Sequence, residues 1–130
     1  MKITGVRAVP LSVEIPEERR HRTDLGTRVK INSTLVFVYT DEGLTGLGAS
    51  LGSPPVVKAI VEHDLAPSLI GEDPTYSERL YEKMYSGSRW EPALERGHSQ
   101  PGRGRRGATM EALSGLDIAI WDVKAQALGV

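Results

Sequence analysis

The chain has 130 residues, which is enough for one domain that buries roughly two thirds of its unfolded surface. Its 16 Lys and Arg against 17 Asp and Glu exclude a general attraction to nucleic acid or to an acidic membrane. The absence of cysteine excludes disulfides and thiolate metal sites, and the N-terminus lacks the continuous apolar core of a signal peptide. We therefore expect a cytoplasmic protein with no nucleic-acid or membrane partner.

The first half of the chain predicts a three-stranded antiparallel meander. In residues 2–15 one parity carries Ile3, Val9, Leu11, Val13 and Ile15, as a half-buried strand requires, and Pro10 restricts this strand to a sheet edge or to a bulge. Residues 31–40 are apolar on both parities, which is typical of a central strand covered on both faces. A turn at residues 41–43, with Gly43, leads to the partner strand at 44–50.

Two glycines lie within the third strand. Gly46 and Gly48 weaken a strand and indicate either close packing against a helix or a functional role, and packing is the simpler interpretation.

Two loops flank the predicted strands. Residues 16–30 are charged, contain Gly26 and carry few large aliphatic side chains, and loops of this length in compact domains are usually functional or disordered. Residues 51–55 form a second loop that leads into a helix, with Ser53 as the N-cap and Pro54 as the first helical residue.

Helical spacing marks two helices after the strands. The first carries Val56, Val57, Ile60, Val61 and Leu65 and is predicted to end at Pro67. The second is predicted to start with Asp73 as cap and Pro74 at the first helical position, and to end near Gly87. Its apolar stripe is interpreted as core rather than as a binding site, and consists of Tyr76, Leu80, Tyr81 and Met84.

Residues 88–107 are predicted to be mostly loop, because they contain two prolines and many glycines without a sustained period. Arg103, Arg105 and Arg106 stand between glycines there and resemble an RNA-binding tail. This segment supports an alternative interpretation, in which the chain is a stand-alone module that binds anions or RNA.

The last helix, residues 108–128, carries apolar groups on nearly every side, which predicts burial all round. Because the preceding segments are short and polar, we expect part of its cover to lie outside this chain. Gly129 is a candidate C′ residue, and the chain then stops as if cut at a domain boundary. Asp117 and Asp122 lie roughly 140 degrees apart around the helix, so each is expected to bond to a backbone group or to an arginine rather than to form a catalytic pair.

No catalytic constellation is recognisable in the sequence. His21, His63 and His98 are far apart and lack the spacing of metal ligands. The sequence contains no GxGxxG, no GxxxxGK[ST] and no GxSxG. We therefore expect neither catalytic residues nor a metal site in this chain.

Four segments resemble a known family: MKITGVRAVPL, LVFVYTDEGLTGLG, GEDPTYSERLYEKMY and SGLDIAIWDVKAQALG. Together they are similar to the N-terminal capping domain of the enolase superfamily, in its mandelate racemase and muconate lactonizing enzyme branch. The resemblance covers essentially the whole of residues 1–130. It implies an α+β fold in which a three-stranded antiparallel meander is followed by a helical bundle.

The same resemblance implies a function for a longer parent enzyme. Such enzymes abstract a proton α to a carboxylate, with Mg²⁺ steadying the enediolate and Lys or His as the base. In the family these groups lie on a (β/α) barrel that follows the capping domain, so no catalytic or metal residue maps onto this chain and Mg²⁺ would be bound by the absent barrel. Racemase, acid-sugar dehydratase and cycloisomerase are the expected reactions, and a homo-oligomer is expected.

In the family, two mobile loops of the capping domain close over the barrel and select the substrate. They correspond here to residues 16–30 and 50–55. Arginine suits bidentate recognition of a small carboxylate substrate, and Arg28 belongs to the same cationic set. The expected substrate-loop residues are Arg19, Arg20, His21, Arg22, Thr23, Ser50, Leu51 and Ser53.

Overall fold

The computed structural model describes residues 1–86 and 106–130. The predicted loop at 88–107, with Arg103 and Arg105, lies almost wholly outside these residues, as does the predicted helix end near Gly87. The strands are β1 (Ile3–Glu14), β2 (Arg22–Thr23), β3 (Gly26–Thr27), β4 (Lys30–Thr40) and β5 (Thr45–Ser50). The helices are α1 (Pro54–Ala59), α2 (Ser77–Ser86) and α3 (Ala108–Leu128).

Three of the strands form the predicted antiparallel meander. The order in the sheet is β1-β4-β5, so β4 is central and Pro10 lies in an edge strand. Gly43 takes a φ of 82° in the turn between β4 and β5, a conformation that glycine adopts without a steric penalty. The α+β fold is therefore confirmed.

The predicted parity of the first strand is wrong over most of its length. The register shifts between Ile3 and Gly5, and such a bulge moves all later side chains to the opposite face. Ala8 is buried as a result, whereas Leu11 is exposed and Val13 is 65% exposed.

The central strand is fully covered on one face only. From Thr34 onward its even-numbered side chains, including Val36 and Val38, are buried on the face that carries the helices. On the outer face, Phe37 and Tyr39 are half-buried and stack with ring centroids 6.4 Å apart, and Ile31 is exposed. The prediction of cover on both faces is therefore wrong for the outer face within this chain.

The first helix changes its hydrogen-bonding pattern before Pro67. The α-helical turns of α1 continue as a π-helical segment, Ile60–Leu65, in which the Ala66 amide donates to the carbonyl of Val61. A 3₁₀ turn, Ala66–Ser68, contains Pro67. Proline cannot donate to the ladder, and the regular helix accordingly ends at Leu65, close to the predicted position.

The second helix starts later than predicted. Asp73 does not cap α2; its Oδ1 accepts from the Thr75 amide at 2.9 Å and from the Thr75 hydroxyl at 2.8 Å, in a turn before the helix. These hydrogen bonds lower the pKa of Asp73 below its ordinary value, and the bond from the Thr75 backbone amide has the larger effect. The predicted core stripe is confirmed at Leu80 and Met84, whereas Tyr76 is exposed.

β5 and α3 pack closely against each other. A Cβ atom on Gly46 would lie 2.0 Å from the carbonyl oxygen of Ala119, and one on Gly48 would lie 1.9 Å from that of Gly115. A Cβ atom on Gly115 would in turn lie 2.9 Å from the Cβ of Ser50. Close packing against a helix, the simpler interpretation of the strand glycines, is confirmed.

The last helix is buried on one side and not all round, so that prediction is wrong within this chain. Its buried residues recur at helical spacing and face the sheet and the other helices: Ala112, Leu113, Gly115, Leu116, Ala119, Ile120 and Val123. On the outward side, Ile118 is 50% exposed, Trp121 is 45% exposed and Leu128 is also exposed. Gly129 ends the helix in the left-handed conformation, as predicted.

Helix side chains satisfy polar groups along both edges of the sheet. At the β1 edge, Glu62 accepts from the amide of Ala8 at 3.0 Å. At the β5 edge, Asp122 accepts from the amide of Leu47, and Gln126 donates to the carbonyl of Thr45 at 2.9 Å. The expected backbone partner of Asp122 is therefore confirmed. Because these side chains occupy backbone groups at the sheet edges, they hinder pairing of those edges with a strand of another chain.

Candidate functional site

The charged segment that follows β1 is an ordered extension of the sheet rather than a plain loop. Beyond the last β1–β4 pair, Ile15 donates its amide to the carbonyl of Val29 at 2.8 Å. Further out, Arg28 donates its amide to the carbonyl of His21 at 3.3 Å, and the short strands β2 and β3 pair. Every residue from 16 to 32 is exposed. We call residues 21–28 the tip hairpin.

A side loop of five residues, 16–20, separates the tip hairpin from the main ribbon. It contains a 3₁₀ turn, Glu17–Arg19, in which Arg19 donates its amide to the carbonyl of Pro16 at 2.9 Å. The opposite strand has no matching insertion, because Arg28 and Val29 are consecutive. The ribbon therefore carries a joint at this point.

The end of the tip hairpin is organised by Thr23. Its hydroxyl accepts from the amide of Leu25 at 3.2 Å and donates to the carbonyl of Gly26 at 3.3 Å. Gly26 has a φ of 121°, which strongly favours glycine. The turn leaves the Leu25 side chain 94% exposed, so the hairpin presents an apolar group at its outermost point.

The predicted cationic residues lie together on this segment. Arg19 is in the side loop, and His21, Arg22 and Arg28 are on the tip hairpin. Their side chains make no hydrogen bond or ion pair with any residue in the described parts of the chain. Arg20 differs, because its Nε donates to the carbonyl of Ile15 at 2.8 Å. This segment therefore carries several cationic side chains that have no partner among the described residues, and its exposed residues take no part in the core.

The second predicted loop leaves from the same end of the sheet. Its first residue, Ser50, pairs with Thr34 at the end of β5, four residues from the β4 end that carries the ribbon. Leu51 is 71% exposed. Ser53 occupies the predicted N-cap position of α1, but its side chain makes no capping hydrogen bond.

Ser50 differs from the other predicted residues because its side chain is inside the fold. It is 4% exposed, and its hydroxyl lies within hydrogen-bond distance of the carbonyls of Leu51, at 3.1 Å, and Glu111. Its environment therefore indicates a role in joining β5 to α3 rather than direct contact with a solute.

One residue that the sequence interpretation missed lies at this end. Glu111, in the first turn of α3, places its carboxylate against Gly52, where a Cβ atom would lie 2.1 Å from Oε2. Gly52 has a φ of 98°. In sequence Glu111 is a polar interruption of an apolar helix 59 positions after Gly52, so no local pattern indicates that the two lie close together.

A metal site is not formed by the described residues. Across residues 1–86 and 106–130, no group of three or more His, Asp or Glu side chains is placed to hold a metal ion. Burial raises the pKa of Asp117, and its Oδ1 has no hydrogen-bond partner within the described ranges. One carboxylate of this kind does not fit a Mg²⁺ site.

Among the helices described here, none is long and apolar enough to cross a membrane.

Comparisons with known proteins agree with this architecture. Residues 6–130 match the family model for the mandelate racemase / muconate lactonizing enzyme N-terminal domain. The D-mannonate dehydratase of Rhizorhabdus wittichii is 33% identical over 133 residues, covering 100% of this chain and 26% of that protein. The D-galactarolactone cycloisomerase of Agrobacterium fabrum is 34% identical over 132 residues, covering 99% of this chain and 30% of that protein.

Solved structures show the same fold. A member of the enolase superfamily from Polaromonas sp. JS666 superposes with a TM-score of 0.78 at 29% identity, over 98% of this chain and 31% of that one. A racemase from Streptomyces coelicolor A3(2), solved with bound magnesium, gives 0.76 at 25% identity, over 97% and 32%. The chain thus spans less than a third of these relatives, and it belongs to the mandelate racemase / muconate lactonizing enzyme N-terminal domain family of the enolase superfamily.

Proposed function

We propose that this chain is the capping and substrate-specificity domain of a longer, Mg²⁺-dependent enzyme that abstracts a proton α to a carboxylate. Acid-sugar dehydratase, racemase and cycloisomerase are the candidate reactions. Relatives named as a D-mannonate dehydratase and a D-galactarolactone cycloisomerase support this class. The observation that carries the proposal is the exposed tip hairpin, whose cations are uncommitted and whose residues contribute nothing to the core.

The role of this chain in such a reaction is binding and enclosure. Arg22 and Arg28 supply donors for a carboxylate or for hydroxyl groups, and the imidazole of His21 can donate or accept a hydrogen bond. Leu25 and Leu51 are exposed apolar groups on the two loops, and they suit the exclusion of water once the loops close. In this proposal the base and the metal ligands belong to the barrel.

The outward side of α3 supports docking onto the rest of the longer protein. Ile118, Trp121 and Leu128 present apolar groups there, and the unpartnered Oδ1 of Asp117 lies on the same helix one turn before Trp121. An apolar strip with a buried polar atom beside it is typical of an interface. The covering partner in this proposal is the barrel domain.

The outer face of the sheet supports the expected homo-oligomer. Leu11, Val13, Ile31 and Leu47 are exposed on this face, opposite the helical layer. The helix α3 lies on the opposite side of the sheet. A barrel domain that covers α3 would therefore leave the outer sheet face available to a second copy of the protein. In the full-length protein, Val13→Lys should reduce the sedimenting mass; unchanged mass at all concentrations would remove the outer sheet face from the oligomer interface.

The test of the proposed function is His21→Ala in the full-length enzyme. We expect kcat/KM for an acid-sugar substrate to fall roughly tenfold or more, which corresponds to about 1.4 kcal/mol of transition-state binding, with thermal stability nearly unchanged. His63→Ala, the same change at an exposed histidine outside both loops, is the matched control. Wild-type kcat/KM in the His21 variant, or activity lost only in step with folding, would count against the assignment.

The second candidate is the stand-alone module that binds anions or RNA through Arg103, Arg105 and Arg106. Of these, Arg106 is described and is exposed. A salt titration separates the two functions, because binding through phosphate contacts weakens steeply as salt rises. Absence of RNA binding at moderate salt would eliminate the module.

A further inference from the structure

Arg20 occupies the joint between the tip hairpin and the main ribbon. On one side of the joint, Ile15 is buried and its amide is bonded to Val29. On the other side, His21 and Arg28 form the first backbone contact of the tip hairpin. The side loop between them leaves the ribbon and must return to it at Arg20.

The Nε of Arg20 donates a hydrogen bond to the Ile15 carbonyl at 2.8 Å and so closes this side loop. We call this hydrogen bond the clasp. Within the described residues it is the one side-chain hydrogen bond that links residues 16–28 to the rest of the chain. The hydrogen bonds of Thr23 lie inside the tip hairpin. A charged donor strengthens such a bond, and the acceptor is held in place because Ile15 is itself paired.

We propose that Arg20 is a positioning residue: it clasps the side loop to the Ile15 carbonyl and so fixes the direction in which the tip hairpin presents His21, Arg22 and Leu25. It does not act as a ligand for the substrate. The clasp is independent of the proposed function, whereas its effect on substrate affinity rests on that function.

A pair of substitutions separates these two roles. The Nε2 of glutamine is the same number of bonds from Cα as the Nε of arginine, so Arg20→Gln keeps a donor at the right place and removes the charge. Arg20→Met has a similar length and no donor. A clasp is therefore preserved in the glutamine variant and lost in the methionine variant, whereas a charge that binds a carboxylate is lost in both.

Amide hydrogen exchange of the full-length protein measures the clasp directly. In Arg20→Met, exchange of the tip hairpin amides should rise roughly fivefold, since local opening follows the loss of one hydrogen bond of ordinary strength. Exchange in β4 and α3 should not change. Arg20→Gln should stay within about twofold of wild type. Arg19→Met, the same change on the neighbouring arginine whose side chain makes no hydrogen bond with the described residues, should leave exchange of the tip hairpin amides unchanged.

Steady-state kinetics on an acid-sugar substrate give the second readout. KM should rise about fivefold in Arg20→Met and remain close to wild type in Arg20→Gln. Wild-type exchange in Arg20→Met would overturn the clasp, as would equally fast exchange in both variants. Equal increases in KM with undisturbed exchange would make Arg20 a substrate ligand and overturn the positioning role. If wild type turns over no acid sugar, the proposed function fails while the exchange data still decide the clasp.

Discussion

Asp122 and Leu47 lie 75 positions apart in the chain, and the carboxylate of the first accepts from the backbone amide of the second at 2.8 Å. The bond fastens the outer edge of β5 to α3, beside the glycines that let strand and helix touch. Asp122→Leu should lower the free energy of unfolding by about 1 to 2 kcal/mol, because it leaves that amide without its charged acceptor.

Asp122→Asn is the matched variant, since its amide oxygen still accepts. Denaturant unfolding should show at least half of the leucine effect recovered in the asparagine variant. Equal stability of the leucine variant and wild type would mean that water replaces the carboxylate at no cost.

Gly48→Ala should destabilise the protein by about 3 kcal/mol. The new methyl group would lie 1.9 Å from the carbonyl oxygen of Gly115, so β5 and α3 must separate and lose their packing. Gly5→Ala in β1 is the control, because its nearest neighbour, Cδ2 of Tyr39, would be at an ordinary 3.6 Å. Denaturant unfolding of both variants checks this, and similar stabilities would contradict the close contact.

Asp73 should give a pH-dependent contribution to stability. Because its folded pKa lies below the ordinary 3.8, the contribution is present above that value and is lost as the pH falls through the folded pKa. Asp73→Ala should cost about 1 kcal/mol at pH 7. In urea titrations, the difference from wild type should shrink below about pH 3.8; a difference that persists unchanged at pH 2 would refute this assignment.

The outward side of α3 should make the 130-residue chain self-associate. Ultracentrifugation at about 100 μM should show species larger than a monomer, and Trp121→Lys should shift them toward the monomer, because a charge in an apolar contact is costly to bury. Leu25→Lys, which alters an exposed leucine at the far end, should leave association unchanged. A clean wild-type monomer would show that this surface needs no cover.

The sequence was sufficient to predict the meander, the strand glycines and the position of the helices, since each rests on local patterns. The prediction failed where one irregular residue changes the orientation of many others. The bulge after Ile3 places the later side chains of β1 on the face opposite to the predicted one. Apolar composition also misled for α3, because Ile118 and Trp121 are apolar without being covered in this chain.

For the candidate site, charge and length singled out residues 16–30, and resemblance supplied their role. The different contacts of its arginines could be seen only in the three-dimensional structure. Arg19 and Arg20 are neighbours of the same type, yet only Arg20 donates to Ile15. Glu111 was missed for the same reason, since its proximity to Gly52 depends on how α3 lies against β5.

The absence of buried side chains from residue 16 to residue 32 has an evolutionary consequence. In the tip hairpin the fold constrains the turn, where Gly26 has a φ of 121° and Thr23 is hydrogen-bonded, whereas the other side chains lie outside the core and can be replaced at little cost in folding free energy. Under the proposed function, related domains could then differ in substrate through this segment while sharing one scaffold. Under the proposed function, grafting residues 16–28 between relatives would transfer substrate preference without rebuilding the core.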